Sequence, residues 1–229
     1  MLRRVEKKLR HPYALIILAE MIVTSQTPGL PSEALALLET VPRDERRRTL
    51  NAHLEYVLCL THMALAACHD QDSLGAHARA AFNHANRALG LGFSHALQQI
   101  AFCLEEGFGT EVNLDQAFPM LLMGCKMNFE LSTARVREII AEDPPTLITL
   151  RFIQSTLTMR AMGQLTDDDM SRNPTLAACW ALTEEFPPPP DLAAQIAVDA
   201  ANVQAEDPEE TFAALGMDPP PPTGQDGEA

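Results

Sequence analysis

Cysteines and histidines crowd one stretch of the chain, at Cys59, His62, Cys68, His69, His77 and His84. Cys59 and His62 are three positions apart, and on a helix that spacing puts a thiolate and an imidazole on one face, the first half of a zinc site. Two more ligands would have to come from a neighbouring helix, with His77 and His84 within reach. Structural zinc sites carry tighter paired spacing, and the sequence has no CxxC pair. Histidines that simply pack in a core or on a surface explain the stretch with fewer assumptions. A metal-binding or redox protein using the Cys59/His62 region is therefore the alternative reading rather than the leading one.

Catalysis finds little more support. Cys103 or Cys125 beside a histidine would make a nucleophile and base. However, Cys103 lies in an apolar stretch just before the acidic pair Glu105 and Glu106, whose charge would raise a thiol pKa. No phosphate loop, dinucleotide fingerprint or nucleophile elbow occurs. Gly107-x-Gly109 is too short to cradle a phosphate. The expectation is a protein that is not an enzyme, with no catalytic, cofactor-binding or metal-ligating residue to assign and no cofactor.

The elements that would carry these residues repeat. Ala81-Phe82 recurs 36 positions on as Ala117-Phe118, Ala88 as Gly124, Gly92 as Asn128, Phe93 as Phe129, Ala96 as Ser132 and Ile100 as Val136. Ala81, Phe82, Ala85, Ala88 and Leu89 fall at helical spacing and form one buried stripe. Gly90 and Gly92 end that helix, since glycine reaches the left-handed backbone that reverses the chain, and asparagine is the next best residue for it. A second helix follows from Ser94, with Leu97, Ile100, Ala101 and Leu104 on one face, and stops at Gly107-Phe108-Gly109. Small residues at recurrent positions let helices cross closely. A repeat of this length marks stacked helix pairs.

The run from Ala88 to Gly92, then His95-Ala96, Ile100-Ala101 and the loop from Gly107 to Ala117 resembles the Sel-one-like repeat, a subclass related to the tetratricopeptide repeat. Gly107, Gly109, Asp115 and Ala117 match that family's loop. Pro119 departs from it inside the following helix, where a proline costs about 3 kcal/mol unless it lies in the first turn or the helix bends. Lys126 departs at the second helix end. The resemblance implies an all-α, right-handed α-solenoid of antiparallel helix pairs that scaffolds protein complexes, of bacterial type.

Composition agrees with helix-on-helix packing: 46% of residues are hydrophobic but only 5% aromatic. The net charge of −14 argues against nucleic-acid binding. It is unevenly spread, with a net +3 in residues 1–48, −17 in the remainder and no Lys or Arg after Arg172. Five scattered cysteines, all in predicted helices, read as reduced and buried thiols of a cytoplasmic protein.

From the N-terminus, basic Leu2 to Arg10 precedes apolar Ala14 to Val23. That is the layout of a signal peptide, but Glu20 and the short run favour a first helix with Pro12 in its opening turn. The run is also too short to span a bilayer. Arg3, Arg4, Lys7, Lys8 and Arg10 could meet anionic lipid, solvent or the acidic half of the chain, and membrane attachment is the least favoured of these. Ser32 is a candidate N-cap for a helix ending near Val41. Asp44 to His69 reads as one long helix, Asp70 to Ser73 as a turn and Ser73 to Leu89 as the returning helix. Asp143-Pro144-Pro145 closes a helix, Thr146 to Met162 forms another, Gly163 to Met170 is a polar segment, and Pro174 to Phe186 is a short amphipathic helix. The repeat domain thus covers 1–186, a proline spacer with one more helix covers 187–205, and a disordered, acidic, proline-rich tail covers 206–229. Phe212, Leu215 and Met217 in that tail could form a linear motif. The leading functional expectation is a protein-interaction scaffold or chaperone-like adaptor that binds a peptide or helix of an unknown protein partner on its surface.

Overall fold

The computed structural model describes residues 11–43, 46–68, 71–142 and 145–187, together with 194, 196 and 198. All regular structure among them is helical. In chain order the helices are α1 (Pro12–Val23), α2 (Pro31–Glu39), α3 (Arg48–Cys68), α4 (Gln71–Gly90), α5 (Ala96–Glu106), α6 (Leu114–Lys126), α7 (Glu130–Ile140), α8 (Leu147–Ala161), α9 (Asp167–Arg172) and α10 (Pro174–Glu185). No described helix is long and apolar enough to cross a membrane.

Each helix from α1 to α8 packs against its chain neighbours, and α3 and α4 share the most extensive contact. α1 also reaches α3, and α6 reaches α8. The core follows the chain in three blocks. The first is built on Ile16, Ala19, Leu37, Leu38 and Leu54, the second on Cys59, Ala81, Ala85, Ile100 and Ala117, and the third on Phe118, Leu122, Val136, Phe152 and Leu176. In the third block Phe118 and Phe152 meet edge to face at 5.4 Å, a favoured arrangement of ring quadrupoles.

The two repeat turns have the same backbone. Gly92 has φ +93° and Asn128 φ +58°. Phe93 N–H donates to Ala88 O at 2.9 Å, and Phe129 N–H to Gly124 O at 2.8 Å. Asparagine thus takes the left-handed position that glycine holds in the first copy. Gly109 has φ +75°, and a β-carbon there would overlap the backbone of Ala78 and Arg79 in α4. The loop glycine therefore lets the α5–α6 connection lie directly on the preceding helix.

Several boundaries differ from the sequence expectation. Helix α2 begins at Pro31, with Leu30 rather than Ser32 at the cap. Proline needs no N–H partner at the first helical position, and Glu33 accepts the Leu30 N–H at 3.2 Å. Helix α3 begins at Arg48, not Asp44; Arg43 instead reaches across to Glu55, while Asp44, Glu45 and His69 lie outside the described residues. Pro119 lies inside α6, beyond its first turn. The carbonyl it leaves without a helical donor belongs to exposed Asp115, where water can serve. The polar segment Gly163 to Met170 contains the start of α9, whose N-cap Thr166 and Asp169 form a reciprocal capping box, and Leu165 beneath it is buried.

Helix α10 returns to pack on α8, α7 and α6. Asn173 makes this possible. Its Oδ1 caps α10 by accepting Thr175 and Leu176 N–H, and its Nδ2 donates to Cys125 O at 2.7 Å. Arg160 lies 3.8 Å over the Trp180 ring and closes the same end. Residues 194, 196 and 198 are helical. The remainder of the expected helix to Ala205, the tail 206–229 and its Phe212, Leu215 and Met217 lie outside the described residues, as does the basic segment 1–10.

Candidate functional site

The histidine-rich stretch of α3 and α4 faces a groove of about 520 Å³ between α2, α3 and α4. Leu35, Leu38, Val41, Leu54 and Leu58 wall it with apolar surface, and Glu39, Arg43, His62 and His84 supply the polar groups. The register of two long helices decides this. Glu55, Leu58 and His62 lie at i, i+3 and i+7 on one face of α3, and His77 and His84 lie seven apart on the facing side of α4.

Glu55 is the electrostatic centre. Its side chain is only 7% exposed, yet its Oε2 is 2.6 Å from His84 Nδ1 and its Oε1 is 3.1 Å from the Arg43 guanidinium. Burial by itself would raise this carboxyl. The hydrogen bond and charge of His84, joined by Arg43 and Arg87, outweigh burial and hold its pKa below the ordinary value. The carboxylate is thus held in its charged form behind Arg43 and His84, which line the groove.

His62 is controlled differently. Burial, then the neighbouring His84 and His77, push its pKa down to about 4. Its Nδ1 is 3.0 Å from His77 Nδ1, so one ring donates and the other accepts. The His62 and His84 rings stack with centroids 5.4 Å apart. His62 is a neutral imidazole across the physiological range.

The structure therefore brings His62, His77 and His84 together and adds Glu55 and Arg43, which sequence reasoning did not single out. The available signal was Glu55 itself, a charged residue between Leu54 and Val57-Leu58 on an otherwise apolar face of α3. Cys59 is not part of this group. It is fully buried, its Sγ faces Met63 Sδ at 3.9 Å, and burial, aided by Cys103, pushes its thiol up to about 12. Cys68 is exposed, and His69 lies outside the described residues. Among the described residues, no three His, Cys, Asp or Glu side chains are placed to hold a metal ion.

The thiols considered as nucleophiles are buried. Cys103 is raised to about 12, by burial rather than by the adjacent glutamates, because Glu105 pairs with Arg135 instead, accepting its Nε–H at 2.8 Å. Burial also raises Cys125, against the opposing effect of the hydrogen bonds it accepts from Thr133 and donates to Asn173 Oδ1. A protonated thiol is a poor nucleophile and a poor ligand.

No family model, curated protein or solved structure matches the chain. The reading of the site therefore rests on its geometry and chemistry.

Proposed function

We propose that the protein is a non-catalytic interaction scaffold or chaperone-like adaptor, a right-handed stack of helix pairs working in the cytoplasm. It would hold a segment of a partner protein in the groove between α2, α3 and α4. The partner segment carries a bulky apolar side chain next to a carboxylate. The observation that carries this reading is the pairing of five aliphatic wall residues with Arg43, which is 58% exposed at the groove while its other side is anchored on Glu55. The volume suits one or two inserted side chains rather than a whole helix. Arg43 is the basic group of the groove lining, so a carboxylate beside the anchor meets matching charge. The repeated turns at Gly92 and Asn128 support the stacked-pair architecture. Against a metal or redox centre at Cys59 and His62 stand the protonated thiol of Cys59 and the different partners of the two side chains.

The test is a selection of random displayed peptides on the full chain, followed by calorimetric titration of the enriched peptides. Enrichment of Leu, Phe or Trp next to Asp or Glu is expected, with binding lost in Leu35→Trp, which fills the groove. Peptides without that pattern, or ones that bind Leu35→Trp equally well, would overturn the reading.

A further inference from the structure

A second feature lies away from the groove. Five rings form a connected strip across the repeats. Tyr13 of α1 and His53 of α3 have centroids 5.7 Å apart, His53 and Phe93 stack at 5.4 Å, Phe93 and His95 lie at 5.6 Å, and His95 stacks on Phe129 at 4.4 Å. Tyr56 supports the middle, 4.6 Å from Phe93. Phe93 and Phe129 are equivalent residues of the two repeat turns, so the 36-residue repeat itself sets two of the five rings. None of the five rings is buried: Tyr13 is 49% exposed, His95 is exposed and the others are half-buried. Rings that touch one another while keeping a wet edge suit a ligand that is apolar, narrow and rich in hydrogen-bond acceptors.

A run of prolines is such a ligand. It is pre-set as a polyproline II helix, its rings lie well on aromatic faces, and its carbonyls have no partner within the run. Tyr hydroxyl and imidazole N–H groups, as at Tyr13 and His95, can donate to those carbonyls. The chain carries this ligand in the sequence Asp218-Pro219-Pro220-Pro221-Pro222-Thr223, followed by Asp226 and Glu228. Charge beside the strip is divided: Arg48 donates to the carbonyls of Gly90 and Leu91 in the turn that carries Phe93, and the Glu20 carboxylate lies 3.0 Å from His53 Nε2 at the other end. The acidic flanks of the proline run match the Arg48 end. The stretch from Val198 to Pro219 can extend over roughly 65 Å, against a radius of gyration of about 17 Å for a folded chain of this length. The run can therefore reach the strip.

We propose that the strip formed by Tyr13, His53, Phe93, His95 and Phe129 is the docking surface for the chain's own Pro219 to Pro222 segment, bound in cis as a polyproline II helix. Docking there leaves the groove near Glu55 open. Release of the segment by a competing proline-rich, acid-flanked peptide would expose the strip.

The experiment compares the imidazole NMR signals of the full chain with those of the full-length variant in which Pro219 to Pro222 are all alanine. Movement of the His53 and His95 signals is expected, with His62, His77 and His84 unchanged and no dependence on protein concentration. A synthetic peptide of residues 214–228 added to that variant should return the His95 signal, and Phe129→Leu in the same background should weaken the peptide by about tenfold. Identical His53 and His95 signals in both chains would overturn the proposal. So would signals that respond instead to alanines at Pro187 to Pro190, or that vary with dilution, which would place a second copy on the strip.

Discussion

Ser132 occupies the space that a β-carbon on Gly124 would need, at the crossing of α6 and α7. One repeat earlier, the equivalent positions are Ala88 and Ala96, both fully buried. The crossing tolerates two methyl groups, or a hydrogen facing a hydroxymethyl, because the summed volume is what the interhelical distance fixes.

Gly124→Ala is therefore expected to lower stability by about 1–2 kcal/mol through overpacking, despite the better helix propensity of alanine. Ser132→Ala is expected to be neutral or slightly stabilising, since Ser132 Oγ is buried without a partner. The double variant recreates the first repeat and should recover the loss, giving a coupling of about 2 kcal/mol in a urea-unfolding cycle.

Asn173→Ala removes the cap of α10 and leaves the buried Cys125 carbonyl without its donor. Chemical denaturation should show a loss of about 2–3 kcal/mol. Asn173→Asp keeps the cap but not the donor, so it should recover only part of that loss.

His62 sets a pH dependence. Its folded pKa of about 4 lies below the ordinary 6.5, so the unfolded chain takes up the proton first as pH falls. The stability tied to the neutral ring is complete above pH 6.5, is lost progressively toward pH 4 and changes no further below that. After discounting for solvent at a partly exposed ring, the loss is of the order of 2 kcal/mol. The unfolding free energies of wild type and His62→Gln, measured against pH, should differ by a term that shrinks across that window. A constant difference would contradict the assignment.

Thiol labelling offers a rapid check on the cysteine environments. Cys68 is exposed, while Cys59, Cys103, Cys125 and Cys179 are buried. Intact-mass analysis after brief treatment with a maleimide should show one adduct on native protein and five after denaturation. Early modification of Cys59 would mean that the α3–α4 core opens to solvent.

The local elements were legible in short stretches of the chain. Glycine and asparagine at 36-residue spacing predicted two equivalent left-handed turns, and Gly92 and Asn128 adopt them, because backbone conformation at a turn depends mainly on the residue in it. Apolar periodicity placed α4 to α8, although Gln71 and Asp72, expected in a turn, are helical and α5 starts at Ala96 rather than Ser94, and the short side chains foretold close crossings. The boundaries of α2, α3 and α9 were less legible, since caps can be supplied by a proline, a glutamate three residues on or a short capping box.

Which side chains meet follows from how the helices pack. Cys59 and His62 share a helix yet face different neighbours, because a spacing of three leaves them about 60° apart around the axis. Glu55 found His84 and Arg43 through the register between α3, α4 and the loop after α2, which no local pattern encodes. The ring strip likewise joins residues from α1, α3 and two turns, and the return of α10 hangs on Asn173 reaching a carbonyl 48 positions away in sequence. Turn conformation is a property of a few adjacent residues, whereas a site is a property of the packing of the helices that carry it.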